Sequence, residues 1–498
     1  MKKRRIFSVL LLLALLAQLT LLPALAEPDA SDAVQDSTAS EPSDVQPSSE
    51  PASEPVETVS VTPPPALLDY AVQTDYTVKA KAAALIDLDG NALVYSQDID
   101  KQVYPASLTK IMTCMIALDR GKLDDVLTVS SAALQDLAIG GSTANLKQGE
   151  MLTLEELLYC VMVSSANEAC NVVAEYVSGS IPAFVALMNE YAAKLGMSST
   201  HFANTHGLHE DDHYTTVRDL SVLARWAWQN EKFREIASTT VHTVPQTNVS
   251  EPRELHTTDY LISGLTVGKY YYDKAIGGKT GFTSWAGGCL VSFAEDGSTH
   301  FLSIVCGCET VTDEDGTQTD ERFTETKRLF EYGFSHYSYV QVLSDTTMLD
   351  MPEVLYAQGR GNVVVRAGKN ISVLLPDDCD LSEIEMQIKY LSDSPLEAPL
   401  EAGQVVGTVT AVYHGSPIAS CDLVTLTAVQ RSTPKYVEDK TNEAVHGFFS
   451  KLMGYWYLVI PLLLVLLFAV ILLIFRAINV HKAKKRRARR AARRKPNE

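Results

Sequence analysis

The chain has 498 residues, 46% of them hydrophobic, with 42 Lys and Arg against 61 Asp and Glu. That is long enough for two or three domains with a sizeable core, and too apolar for a chain disordered throughout. A formal net charge of −19 argues against nucleic acid or another polyanion as a partner of the main body.

At the N-terminus Lys2, Lys3, Arg4 and Arg5 precede an apolar run from Ile6 to Leu22, and Ala24-Leu25-Ala26 fits an A-x-A cleavage site. This predicts a secretory signal peptide over residues 1–26 rather than an uncleaved anchor. The following stretch, to about Pro65, is Ser, Pro, Glu, Asp and Val with almost no aromatics. Such a composition cannot bury enough apolar surface to offset ordering, so 27–70 is expected to be a disordered acidic linker.

The first folded region begins near Tyr76. Ala82 to Leu88, Asp89-Gly90-Asn91 and Ala92 to Ser96 predict a β-hairpin turning at Asp-Gly. Next comes Pro105-Ala106-Ser107-Leu108-Thr109-Lys110 with the apolar run Ile111 to Ile116, a helix start with Pro105 near the first turn. Ser107 and Lys110, three residues apart, then share a helix face. A neighbouring amine is one way to activate a serine, and a helix N-terminus supplies N–H groups for an oxyanion. Alone, Ser-x-x-Lys is a weak signal, found on many ordinary helices.

A helix over Leu152–Val163, introduced by Thr153 and Glu155-Glu156, leads into Ser165-Ala166-Asn167. Ile181–Leu195 is amphipathic and stops at Gly196, and Val217–Gln229 is a third such helix. Between them His201, His206, His209 and His213 lie among Asn204, Gly207 and Leu208. No helical carboxylate–histidine spacing accompanies them, so loop hydrogen bonding is favoured over a metal. Lys279-Thr280-Gly281 is expected to open a strand, followed by Cys289 to Ala294, a turn at Glu295-Asp296-Gly297-Ser298, and Thr299 to Cys306. Helices set between two hairpins predict an α+β fold. From Tyr339 to about Arg431, short runs such as Val363-Val364-Val365, Val373-Leu374-Leu375 and Val405 to Val409 predict a small all-β domain without a catalytic constellation.

Residues 432–454 are expected to be a juxtamembrane linker. Tyr455 to Phe475 is long and apolar enough to span a bilayer, with Tyr455, Trp456 and Tyr457 at one interface. The basic tail 476–498, including Lys484-Lys485-Arg486-Arg487 and Arg493-Arg494-Lys495, is a stop-transfer flank. It predicts a cytoplasmic tail and an extracytoplasmic body, and explains the basic run without nucleic acid. Of the eight cysteines, Cys306 and Cys308 face one side of a strand. Cys379 and Cys421 lie in the same later region and could pair, but buried free thiols are the favoured reading. Without a CxxC pair zinc is not expected.

Ser107-x-x-Lys110, Ser165-x-Asn167 and Lys279-Thr280-Gly281, in this order, are the signature set of penicillin-recognising serine enzymes. From about residue 76 to 430 the chain resembles the low-molecular-mass penicillin-binding proteins, the D-alanyl-D-alanine carboxypeptidases of bacterial cell walls. Supporting stretches are Phe202 to Leu208, His213 to Leu220 and Gly278 to Thr283. The resemblance implies a β-lactamase/transpeptidase-like catalytic domain over 71–335, helices on an antiparallel sheet, followed by the small β-rich domain over 339–431.

It also implies roles. Ser107 would attack the carbonyl of the penultimate D-Ala, with Lys110 accepting its proton if burial and Lys279 depress its pKa. Ser165 would relay a proton to the leaving amine, and Asn167 would position Lys110 and bond the substrate amide. Lys279 and Thr280 would hold the substrate carboxylate, Gly281 would permit close approach, and the N–H groups of Ser107 and Phe282 would form the oxyanion hole. The implied substrate is a peptidoglycan stem ending in D-Ala-D-Ala, with β-lactams as covalent inhibitors and no cofactor. A β-lactamase is disfavoured because no Glu-x-x-Leu-Asn lies between Asn167 and Lys279. A non-catalytic sensor is disfavoured because all three motifs are intact. One departure stands out. Where the family often has Arg-Asn before the Lys-Thr-Gly strand, this chain has Thr258-Asp259, and Arg253 is the candidate helper for the carboxylate.

Overall fold

The computed structural model describes residues 61–69, 76–135, 137, 141–264, 268–312 and 314–492. The expected signal peptide, the linker up to residue 60 and the last six residues of the basic tail lie outside them.

The first hairpin forms around the expected Asp-Gly turn. β1 (Ala82–Asp87) and β2 (Ala92–Gln97) pair antiparallel. At the turn, Asp87 accepts from the N–H groups of Asp89 at 3.2 Å and Gly90 at 3.0 Å, and Asn91 takes the left-handed conformation at φ 53°, which asparagine tolerates. Three more strands, β3 (Ala275–Thr283), β4 (Gly287–Asp296) and β5 (Thr299–Cys308), complete a five-stranded antiparallel sheet in the order β2-β1-β5-β4-β3. β3 is therefore an edge strand. Lys279 sits in the middle of it rather than at its opening, because pairing with β4 already begins at Ala275.

All six residues of β1 are buried, since both faces of the sheet are covered. Ala82, Ala84 and Ile86 point into the larger core, built with α1 (Thr109–Arg120), α2 (Leu154–Met162), α3 (Asn167–Ser178), α4 (Ile181–Leu195) and α5 (Val217–Trp228). Ala83 and Leu85 point the other way, against Phe323, Leu329 and Phe330 of α6 (Glu321–His336). Each such leucine or phenylalanine is worth about 1.5–3 kcal/mol when fully buried.

The helix ends follow local chemistry. Thr153 caps α2 by accepting from Glu156 N–H at 3.2 Å. The helix starts two residues later than its apolar pattern because Met151–Thr153 is a short strand paired with Val126–Thr128. Ser180 caps α4, and Gly196 ends it at φ 80°. Residues 61–69 lie against the domain instead of behaving as free linker. Leu68 N–H donates to the Asn91 carbonyl at 2.8 Å, and Arg225 donates to the Pro65 carbonyl at 2.8 Å.

After α6 the chain becomes all-β. A second five-stranded sheet holds β6 (Met348–Asp350), β7 (Val365–Ala367), β8 (Glu385–Tyr390), β9 (Val405–Tyr413) and β10 (Ser416–Thr425) in the order β6-β7-β10-β9-β8, around its own core of Val365, Leu375, Val409 and Leu423. The expected linker over 432–454 is instead a helix, α7 (Thr433–Gly454), and the apolar stretch and basic tail form one further helix, α8 (Trp456–Ala492). Ala, Lys and Arg beyond Phe475 are good helix formers, so nothing stops the helix where the apolar run ends. All eight cysteines, Cys379 and Cys421 included, are free thiols.

Candidate active site

A cleft of about 310 Å³ opens where the start of α1, the start of α3 and the edge strand β3 converge. Ser107, Ser165, Asn167, Thr280, Gly281 and Phe282 line it, together with Thr258, Leu208 and Arg322. Lys110 and Lys279 lie beneath, 0% and 1% exposed. The three motifs, separated by more than fifty residues in sequence, thus meet at one place.

Ser107 does not sit on the α-helix itself. Ala106–Leu108 form one 3₁₀ turn, and α1 begins at Thr109. The Ser107–Lys110 pairing survives because i and i+3 also align in a 3₁₀ turn. Ala106 is held at φ 48° and Ser165 at φ 60°, conformations that cost a non-glycine residue on the order of 1–3 kcal/mol and cluster at functional sites. The contacts that hold Ala106 are clear. Thr109 Oγ1 donates to its carbonyl at 2.8 Å, and His213 Nε2 lies 2.8 Å from the same hydroxyl. His213 Nδ1 accepts from Ala203 N–H at 3.1 Å, so Nε2 carries the proton and donates to Thr109. Gly207 packs so tightly on this turn that a Cβ would fall 1.8 Å from the Ala106 carbonyl oxygen.

Lys110 Nζ lies 2.9 Å from Ser107 Oγ, 2.8 Å from Asn167 Oδ1 and 2.7 Å from the His206 carbonyl. A neutral amine has two N–H donors and one lone pair. The carbonyl and the amide oxygen can only accept, so they take the two hydrogens and turn the lone pair to Ser107. Burial lowers the Lys110 pKa to about 8, because no solvent remains to stabilise the ammonium. Lys279 is pushed well below its ordinary value, first by burial and then by the charge of Lys110. Its Nζ donates to Ser165 Oγ at 3.1 Å and to the Thr280 carbonyl at 3.0 Å. Lys279 therefore lies under Ser165, while its neighbour Thr280 lines the cleft.

Arg253 is displaced from its expected role altogether. It forms an ion pair with the fully buried carboxylate of Glu150 and does not line the cleft. Asp259 turns away too. It is buried, accepts from Leu261 N–H at 3.0 Å, and burial raises its pKa to about 6. The cationic group on the cleft wall is Arg322, from the first turn of α6. Its Nη1 donates to the Gly281 carbonyl at 2.9 Å, and Asp320 holds its Nε and Nη2. Beside it Thr258 and Thr280 share a hydroxyl–hydroxyl hydrogen bond. β3 approaches the Ser107 turn closely at Gly281, whose Cβ would sit 3.1 Å from Ser107 N.

Three contributors were not assigned from the sequence. The His206 carbonyl and the His213–Thr109 pair lie in stretches whose similarity was noted without a role, since backbone acceptors leave no side-chain signature. Arg322 lies 41 residues after Gly281, and only the fold brings it back. His206 and His213 are buried neutral rings, with pKa values pushed down by burial to about 3 and about 4. Among the described residues no group of three His, Cys, Asp or Glu side chains is placed to hold a metal ion.

A family model described as D-alanyl-D-alanine carboxypeptidase matches residues 69–310, and one described as the penicillin-binding protein 5 C-terminal domain matches 337–431. The D-alanyl-D-alanine carboxypeptidase DacC of Escherichia coli is 30% identical over 364 residues, covering 71% of this chain and 85% of that protein. DacF of Bacillus subtilis is 28% identical over 385 residues, covering 76% and 90%. Among solved structures, penicillin binding protein 5 from Haemophilus influenzae superposes with a TM-score of 0.55 at 26% identity, over 72% of this chain and 100% of that one.

Proposed function

The chain belongs to the D-alanyl-D-alanine carboxypeptidase family, and on that premise we propose that its Ser107 cleft removes the terminal D-alanine from peptidoglycan stem peptides and is acylated by β-lactams. The observation that carries the residue assignment is the 2.9 Å approach of Lys110 Nζ to Ser107 Oγ, with the other two partners of the amine being acceptors only.

Ser107 Oγ attacks the carbonyl carbon of the penultimate D-Ala while its proton passes to Lys110 Nζ. The oxyanion is met by the N–H groups of Ser107 and Phe282; the closeness of Gly281 to Ser107 N supports that pairing. When the C–N bond breaks, the proton taken up by Lys110 is relayed through Ser165, backed by Lys279, to the departing amine, which leaves Lys110 neutral and Ser165 protonated as before. Water then attacks the ester, Lys110 takes its proton, and that proton returns to Ser107 Oγ as the ester C–O bond breaks and the shortened peptide leaves. The terminal carboxylate lies at the end lined by Thr258, Thr280 and Arg322, and Asn167 both orients Lys110 and meets the substrate amide.

We assign the catalytic domain to 71–335 and the β-rich domain to 339–431, in line with the spans of the two family matches. α8 is long and apolar enough to cross a membrane, and its basic end supports a cytoplasmic tail with the catalytic domain outside. D-Ala release from a defined pentapeptide, measured beside hydrolysis of benzylpenicillin, tests the activity. Carboxypeptidase action gives D-Ala and a long-lived penicilloyl adduct. Rapid penicillin turnover without D-Ala release would indicate a β-lactamase, and neither reaction a sensor.

A further inference from the structure

The start of α3 carries a buried carboxylate that the reaction steps leave unused. Glu168 follows Asn167 directly and is 1% exposed. Burying a carboxylate is costly unless its oxygens are bonded, and Oε2 of this one finds no hydrogen-bond partner among the described residues. An acidic residue in a first helical turn commonly serves its own helix, through the free N–H groups or the dipole. Here Oε1 reaches across to another segment instead. It accepts from Thr143 Oγ1 at 2.6 Å and from Ala144 N–H at 2.7 Å.

A return bond runs the other way. Asn167 N–H donates to the Ser142 carbonyl at 3.0 Å, so helix start and loop are bracketed by bonds in both directions. Both ends of the bracket reach the chemistry. Ser142 lines the cleft, and Asn167 Oδ1 accepts from Lys110 Nζ at 2.8 Å. One turn further on, Asn171 donates to the Ala133 carbonyl at 3.2 Å and accepts from Thr205 Oγ1 at 2.7 Å. The same helix is thereby tied to the stretch whose His206 carbonyl is the other acceptor of Lys110. At Glu168 a single oxygen serves two donors, and charge-assisted hydrogen bonds are roughly twice as strong as neutral ones.

We propose that Glu168 is a positioning residue: its carboxylate clamps the loop at 142–145 to the start of α3, and the clamp fixes Asn167 Oδ1 against Lys110 Nζ and Ser142 in the cleft wall. Glu168 touches neither substrate nor the reacting atoms. Release of the loop lets the start of α3 shift, Lys110 loses one of its two acceptors, and the amine is no longer aligned on Ser107. The inference deepens the carboxypeptidase reading above and rests on it for the roles of Ser107 and Lys110.

The test measures kcat and KM for D-Ala release from a defined pentapeptide, beside the rate constant of acylation by benzylpenicillin. It uses the full chain and three variants, each below its melting temperature. Glu168→Ala removes the clamp and is expected to lower kcat and the acylation rate constant on the order of 10- to 100-fold, with KM changed by less than about threefold. Glu168→Gln keeps an oxygen at the Oε1 position and is expected to restore both rates to within about threefold of wild type. Thr143→Val keeps the carboxylate and removes one of its donors, for a loss of about threefold to tenfold, and it decides the matter if Glu168→Ala does not fold. Wild-type rates in Glu168→Ala or in Thr143→Val, a glutamine variant as slow as the alanine one, or a loss confined to KM would overturn the clamp. If the wild-type chain releases no D-Ala, the carboxypeptidase reading fails, and the acylation rates alone judge the clamp.

Discussion

Lys110 Nζ lies 2.9 Å from Ser107 Oγ, and its other two partners, Asn167 Oδ1 and the His206 carbonyl, can only accept. In the proposed mechanism, nucleophile activation is thus a matter of where one lone pair points and of the pH at which it exists.

That pH is set by burial. The Lys110 pKa is lowered from 10.5 to about 8. Below that value the amine is protonated and has no lone pair; above it the base is available. We predict that kcat/KM for D-Ala release rises with pH and levels off above about pH 8, since this parameter reports the free enzyme. A rise deferred to the range of an exposed lysine would contradict the burial argument.

The carboxylate end separates two arginines. Arg322→Ala is expected to lower kcat/KM on the free-acid peptide by roughly 10- to 100-fold, with a much smaller effect on the C-terminally amidated peptide. Arg253→Ala should preserve the acid-to-amide ratio but lower unfolding stability by about 1.5–3 kcal/mol, because the buried Glu150 carboxylate loses its ion pair and keeps only the Lys147 N–H and the Thr247 hydroxyl. The reverse pattern would return the anchoring role to Arg253.

Gly207 tests the strained turn. A methyl group there meets backbone, the Ala106 carbonyl oxygen at 1.8 Å, at a φ of +89°. Gly207→Ala should lower the melting temperature and abolish labelling by fluorescent penicillin, at a cost of more than about 2 kcal/mol. Wild-type melting and labelling in this variant would show that the turn need not approach Gly207 so closely.

The basic end of α8 predicts which side of the membrane each part occupies. Protease added to intact protoplasts should digest the catalytic domain and spare a tag placed after Glu498. A tag cut from outside would reverse the topology.

What was legible in the sequence was chemistry tied to short motifs and to strong periodicity. Ser107, Lys110, Ser165, Asn167, Thr280 and Gly281 could be named because each belongs to a motif that keeps its spacing, and α4 matched its amphipathic pattern from Ile181 to Leu195. Depth was not legible. Nothing in Lys-Thr-Gly says that Lys279 lies under Ser165 while Thr280 faces the cleft; that follows from pairing along β3 at the sheet edge. Proximity in sequence also misled. Arg253 is near the motif in the chain and is tied to Glu150, whereas Arg322 arrives from another helix. The helix over Thr433–Gly454 was missed because its residues are all exposed or nearly so, leaving no buried stripe to mark it.

The central claim is that Ser107 is the nucleophile, and covalent labelling tests it most directly. After incubation with benzylpenicillin, mass spectrometry of the digested protein should place the penicilloyl group on the peptide containing Ser107. Ser107→Ala should carry none, while Ser130→Ala, whose hydroxyl serves Glu175, should label normally. Undiminished labelling of Ser107→Ala, or an adduct on another serine, would contradict the account.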